Sequence, residues 1–131
     1  MIMDPAPGLA RARELDIDVH DFCPADAPKG RSVYLQGQLH PNESASLLVL
    51  QSLVRSLRDT PPDNRVRIVP NASPLGWVRY LLRGVRQEGT IDDALAKTLW
   101  ELSCTFNVVI DVHTPEFGEQ HLLRQAIGAA G

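Results

Sequence analysis

Only two cysteines, Cys23 and Cys104, occur in the 131 residues, and they lie far apart. So sparse a set excludes a disulfide framework and any cysteine-based zinc pattern, and each is read as a reduced, partly buried thiol. Long apolar runs are missing as well. The longest, Leu47 to Leu50, has four residues, whereas a transmembrane helix needs ~20. Met1-Ile2-Met3-Asp4-Pro5 lacks the basic start and apolar stretch of a signal peptide, so a cytoplasmic protein with no membrane partner is expected. Nor is there an excess of positive charge: 13 Lys and Arg against 16 Asp and Glu give a net charge of -3. That argues against nucleic acid as the main partner, because such affinity comes mostly from neutralising phosphates.

What is present is an ordinary globular composition, 44% hydrophobic and 22% charged, which leaves no case for disorder or a coiled coil. A chain of this length buries roughly two-thirds of its unfolded surface, so one core and one domain spanning 1–131 are expected.

Periodicity divides the chain into elements. Leu15-Asp16-Ile17-Asp18-Val19-His20 alternates apolar and polar residues, the pattern of a half-exposed edge strand within a first segment, 1–30, that is otherwise loop. Arg31 to Leu39 predicts a more buried strand ending in the turn-like His40-Pro41-Asn42. A helix is expected from about Glu43 to Arg58, where Leu47, Leu50, Val54 and Leu57 recur at helical spacing, and Thr60-Pro61-Pro62-Asp63-Asn64 stops it. Arg65 to Pro70 forms a second strand, followed by an irregular segment rich in turn formers, Asn71-Ala72-Ser73-Pro74-Leu75-Gly76. Residues 77–89 read as loop or short helix. Thr90 and Asp93 resemble a capping box ahead of an apolar stripe, Ile91, Leu95, Leu99 and Leu102, so a helix runs to about Ser103. Asn107 to His113 is a third strand, apolar enough to be central, and a helical stretch is expected over 119–127 in the tail, 118–131.

Two strand-helix-strand units give the class α/β, with a central, mostly parallel sheet flanked by helices. Ligands gather beyond the carboxyl ends of the strands in such sheets. His40 follows one strand and His113 closes another, so two histidines distant in sequence converge on that edge.

His40 and Glu43 stand three residues apart across a strand-to-helix turn, which lets an imidazole and a carboxylate reach one cation; His113 supplies a third ligand. Two nitrogens and a carboxylate leave a tetrahedral zinc one open position, the arrangement of catalytic sites, whereas structural sites usually have four protein ligands. Asp111 lies two residues before His113 and shares its strand face, where it is a candidate to orient the imidazole. On spacing alone a plainer reading stays open. Four His and six Glu yield roughly 0.2 His-x-x-Glu pairs by chance in a chain of this length. A histidine at a strand end is also often a hydrogen-bonded structural residue.

The wider pattern carries a resemblance. Gly37-Gln38-Leu39-His40-Pro41-Asn42-Glu43, after a hydrophobic strand, resembles the Gly-x-x-His-x-x-Glu element of the zinc carboxypeptidase superfamily, in particular its succinylglutamate desuccinylase/aspartoacylase branch. Val69-Pro70-Asn71-Ala72-Ser73-Pro74-Leu75-Gly76 is similar to the family's strand exit with Asn-Pro-x-Gly, with Asn71 and Pro74 here separated. Val109-Ile110-Asp111-Val112-His113-Thr114 resembles Asp-Leu-His-Thr, whose histidine is the family's third zinc ligand. The three elements keep the family order and span about Val33 to Phe117. The resemblance implies a shortened zinc-carboxypeptidase-like (phosphorylase/hydrolase-like) fold with its metal-site core in 31–117, and Zn2+ held by His40, Glu43 and His113. It also implies metal-assisted amide hydrolysis, in which a glutamate accepts the proton of the attacking water and an arginine polarises the scissile carbonyl. The substrate implied is a small carboxylate-bearing acyl amino acid or a peptide.

Departures from the pattern qualify that implication. The family's Asp-Leu-Asn-Arg motif, which grips the substrate carboxylate, has no match; Gly89-Thr90-Ile91-Asp92-Asp93 occupies the stretch. Arg79, Arg83 and Arg86 are the nearby cations, and Arg83 best fits the carbonyl-polarising arginine, with Arg79 beside it as a substrate-binding candidate; a solvated basic patch is the alternative. The family's general base sits on a strand well past the third ligand, but the sequence runs eighteen residues beyond His113, and Glu116 and Glu119 do not occupy that position. Three readings follow. The preferred one is a truncated or incomplete zinc-dependent hydrolase whose C-terminal half is missing from the chain or supplied by another polypeptide, with a homo-oligomer or a complementing chain as the expected partner. The others are a non-catalytic relative that binds zinc or a carboxylate as a sensor or interaction module, and a plain α/β domain with an accidental His-x-x-Glu.

Overall fold

The structure, a computed structural model, describes residues 6–40, 43–74 and 93–114. In chain order these form α1 (Ala6–Glu14), β1 (His20–Phe22), β2 (Val33–Gly37), α2 (Ser44–Asp59), β3 (Val66–Val69), α3 (Asp93–Ser103) and β4 (Val108–Val112). The sheet order is β1-β3-β2-β4. Strands β3 and β4 both run parallel to β2, and β1 lies antiparallel on β3. Among the described residues this is a small α/β domain, a four-stranded mixed and mostly parallel sheet with three helices. No helix among them is long and apolar enough to cross a membrane.

Period-two alternation sorts the strand residues between two cores. One face of the sheet sends Leu35, Val66, Ile68 and Val112 against Leu50 and Val54 of α2. The other sends Tyr34 and Val69 against Ala12 of α1, Leu99 and Leu102 of α3, and Phe106. Each fully buried aliphatic side chain contributes ~1.5–3 kcal/mol, so these two layers supply most of the drive to place the helices. Arg67 is the polar member of β3 and is 3% exposed. Its Nε and Nη2 donate to Asp21 of β1 at 2.6 and 3.0 Å and its Nη1 to the Leu102 carbonyl at 2.9 Å, so a buried charge is fully engaged.

The strand expected over Leu15 to His20 is displaced, and a helix precedes it. Helix α1 ends in a Schellman-type turn: Ile17 N–H donates to the Ala12 carbonyl at 2.8 Å, Asp16 N–H donates to Arg13 at 3.2 Å, and Asp16 takes φ of 57°. That turn commonly uses glycine. Aspartate in its place hides the helix end and leaves Leu15, Ile17 and Val19 looking like strand alternation, although they pack into the core beside α1. Strand β1 begins only at His20 and does take an edge, beside β3. Cys23 is exposed and Cys104 only partly buried.

Strand β4 corrects a second expectation, a central place for the 107–113 strand. Among the described residues it pairs only with β2 and forms an edge, with Val108, Val109 and Ile110 at 47%, 54% and 42% exposure. Its apolar content reports a preference for burial on both faces, but the crossover from β3 carries the chain past β2 to the outer side. Register is set at the strand's start. Ser32 N–H and Oγ–H both donate to Asn107 Oδ1, Asn107 N–H donates to Ser32 Oγ, and Val108 N–H to the Ser32 carbonyl. From that clamp Gln36 falls opposite Asp111 and Gly37 opposite Val112.

Expectations for residues 75–92 and 115–131, including the loop at 77–89, the Thr90 capping box and the helical tail, lie outside the described residues, as does the Pro41-Asn42 part of the first turn.

Candidate metal centre

Strand β2 ends at Gly37, where its path, that of α2 and that of the β3 exit come closest. A Cβ there would lie 2.9 Å from Leu50 Cδ1, 3.0 Å from the Pro70 carbonyl oxygen and 3.3 Å from that of Ser46. Only glycine permits this approach. The next residue, Gln38, adopts φ of 52°, which turns the chain sharply out of the sheet. Its N–H donates to Ser46 Oγ at 2.8 Å and Ser46 Oγ–H donates to the Glu43 carbonyl at 2.7 Å. On the neighbouring strand exit, Ser73 N–H donates to Asn71 Oδ1 at 3.2 Å, and Ala72 N–H donates to the Gly37 carbonyl at 2.8 Å. The separated Asn71 thus shapes its own turn, and the Ala72 N–H ties the two exits together.

Glu43 is the N-cap of α2, yet its side chain makes no capping hydrogen bond. It is 7% exposed and turns toward the histidines instead. Glu43 Oε1 lies 3.4 Å from His40 Nδ1, and Oε2 lies 3.0 Å from His113 Nδ1. The two imidazole rings stand 5.1 Å apart at 47°, each with its side chain 42% exposed. One ligand atom from each of His40, Glu43 and His113 falls within 4.8 Å of the others, an arrangement able to hold a metal ion. Residues seventy positions apart are thus brought to one point by the parallel pairing of β2 and β4.

The other nitrogen of His113, Nε2, lies 2.7 Å from Asp111 Oδ2. A carboxylate only accepts, so each nitrogen of this ring, Nε2 at Asp111 and Nδ1 at Glu43, donates to its carboxylate only while it carries a proton. Behind it, Gln36 Nε2–H donates to Asp111 Oδ1 at 3.2 Å, and Tyr34 Oη–H donates to Gln36 Oε1 at 2.9 Å. Burial holds the Tyr34 phenol far above its usual pKa, against the opposing charge of Arg67, so it remains a donor. For His113, burial works to lower the pKa, but hydrogen bonds and charge from Glu43 and Asp111 outweigh it and raise the value above 6.5. Tyr34 and Gln36 escape a search for metal ligands. Their signal in the sequence is a glutamine and a tyrosine on one face of an otherwise buried strand.

Arg79, Arg83, Arg86, Glu116 and Glu119 lie outside the described residues. Among the described residues the hydrogen-bond partners of the two histidines are Glu43 and Asp111 alone. Comparison of the chain with protein-family models, with curated proteins and with solved structures finds no match.

Proposed function

We propose that the chain holds one zinc ion through His40, Glu43 and His113, as the core of an amide-hydrolysing centre of the zinc carboxypeptidase kind, nearest the succinylglutamate desuccinylase/aspartoacylase branch. The supporting observation is the pair of contacts made by one buried carboxylate. A neutral His113 carries one proton, so when Nε2–H donates to Asp111 the lone pair of Nδ1 faces Glu43 Oε2 at 3.0 Å. Two lone pairs at that distance repel unless positive charge lies between them. A proton relieves one such contact; a divalent cation relieves both, including that of His40 Nδ1 at 3.4 Å. Two ligands ~2.1 Å from one tetrahedral ion are themselves ~3.4 Å apart, close to the spacings seen.

The donor set favours zinc, since neutral imidazoles and one carboxylate suit it while calcium and magnesium take oxygen. Three protein ligands leave a position for water. A zinc held there supplies a Lewis acid that brings the pKa of such a water toward ~7. Within the chain, Glu43 balances charge, the histidines fix the ligand geometry, and Asp111 orients His113. The substrate class is an acyl amino acid or short peptide bearing a carboxylate, with Arg83 and Arg79 as candidate contacts.

A second reading is a non-catalytic zinc- or carboxylate-binding relative. It is favoured by the commitment of both carboxylates near the histidines, Glu43 and Asp111, to His113. Elemental analysis of the purified protein, expected to find about one zinc per chain, tests the centre. Equal zinc in wild type and a His40→Ala, His113→Ala double variant would refute it. Zinc-dependent turnover of N-acyl amino acids or short peptides separates the two readings.

A further inference from the structure

We propose that the groove between α2 and the sheet edge at β1 is a binding site for a free α-amino acid, whose carboxylate is taken by Arg55 and Arg58 and whose ammonium group is taken by Asp18. A cavity of about 370 Å3 opens there, lined by Asp18, His20, Gln51, Val54, Arg55 and Arg58. Sites for small ligands start at ~300 Å3.

The alternating stretch from Leu15 to His20 builds one wall. Ile17 and Val19 pack into the core on the α1 side, so Asp18 and His20 fall on the opposite face, the one covered by α2, where Phe22 joins the second core. The other wall is a flank of α2. Gln51, Arg55 and Arg58 recur there at i, i+4 and i+7, beside Val54, which is 4% exposed and forms an apolar floor.

The charges suit a ligand that carries both signs. A guanidinium only donates, and Arg58 Nη2–H donates to His20 Nδ1 at 3.2 Å, which holds that side chain against the strand wall. Among the described residues no ion pair uses Asp18, Arg55 or Arg58, so two cations and one anion face the groove uncompensated. Arg55 and Arg58, three positions apart, are neighbours on the helix surface. Both can reach one carboxylate, to which a guanidinium presents parallel N–H groups. Across the groove, Asp18 accepts from an ammonium group. A phosphate dianion would meet a net charge of only +1, two guanidinia less one carboxylate, and a simple cation would meet both guanidinia. A zwitterion satisfies all three groups.

The groove stands apart from the metal centre. Glu43 is the N-cap of α2, whereas Arg55 and Arg58 lie in its last turns, ~18–22 Å further along at 1.5 Å per residue. A free amino acid is also the class of product that the function proposed above would release, but the binding assignment does not rest on that reading.

The test is calorimetric titration and backbone-amide NMR of the full chain with L-leucine, N-acetyl-L-leucine, L-leucinamide and inorganic phosphate. Saturable binding of leucine is expected with a Kd on the order of 1 mM, with amide shifts confined to 18–20 and 51–58. Either blocked derivative is expected to bind ~5–10-fold more weakly, because each lacks one charge. Arg55→Gln should weaken leucine by a similar factor, and Asp18→Asn should make leucine and N-acetyl-L-leucine bind alike. Both side chains are exposed, so unchanged unfolding curves are expected for these variants. Phosphate or N-acetyl-L-leucine binding the wild type as tightly as leucine would make the groove a plain anion site and overturn the proposal. No saturation at tens of times the expected Kd, or shifts at His40, Glu43 and His113 instead, would overturn it as well. A protein that binds leucine as expected but takes up no zinc would refute the metal centre alone.

Discussion

Replacing Glu43 by glutamine separates metal binding from folding more cleanly than any other change at the site. The side chain is 7% exposed, faces both histidines, and makes no capping bond to α2. Its folding role is therefore small. A negative charge at a helix N-terminus contributes ~0.3–1 kcal/mol, and the contact with His113, whose side chain is 42% exposed, falls in the range of solvated ion pairs, ~0–1 kcal/mol. Its metal role is larger. Loss of a partner that merely orients a ligand costs ~10–100-fold in affinity, so loss of a direct ligand is expected at or beyond the upper figure. With free zinc at ~100 times the wild-type Kd, binding adds ~2.7 kcal/mol to stability, and a site 100-fold weaker gains only ~0.4 kcal/mol. The difference, ~2.3 kcal/mol, corresponds to roughly 10 °C of melting temperature in a chain of this size. The assay is thermal unfolding of each protein with and without buffered zinc, comparing the zinc-induced rise within each. An equal rise in both proteins refutes Glu43 as a ligand. A fall in apo stability exceeding the lost zinc effect would make Glu43 a structural residue.

Other outcomes follow from the same geometry. Gly37→Ala forces a methyl group against the Pro70 carbonyl and Leu50; it is expected to destabilise the protein by ~1–3 kcal/mol and to weaken zinc binding by shifting α2, both measurable by denaturant titration and metal titration. Without metal, the raised pKa of His113 means the folded state binds more protons than the unfolded one. Its contribution to stability is thus fully present below about pH 6.5 and is lost as pH rises through the folded value, whereas His113→Ala flattens that dependence in a pH series of unfolding curves. Zinc affinity runs the other way across this window, rising with pH as protons leave Nδ1. For catalysis, no described carboxylate besides Glu43 and Asp111 contacts the histidines, and general-base assistance typically contributes ~10²–10⁴-fold. Slow turnover of acyl amino acids is expected from the zinc-loaded chain; robust turnover abolished by Glu116→Gln or Glu119→Gln would instead assign the base to one of those residues.

The sequence by itself determined most of the element order from Val33 onward and the three residues that converge. Apolar spacing in α2, the run of β3 and the turn chemistry after Asp59 depend on neighbours a few positions away, and local periodicity encodes them directly. Convergence of His40, Glu43 and His113 also follows from locally readable facts, because parallel strands joined by helices bring their carboxyl ends to one edge. Other features were settled only by contacts distant in sequence. Helix α1 is stabilised by packing its Gly8 and Arg11 against Glu101 of α3, and its end is closed by Asp16 where a glycine would have been the readable sign. That β4 pairs on the far side of β2 from β3, an edge among the described residues, is a matter of sheet order, about which strand composition says nothing. The Gln36–Asp111 contact behind His113 was decided by register, the same register that sets Ser32 beside Asn107. A slip of one residue would send the two side chains to opposite faces, and no pattern within either strand records which register the pair adopts.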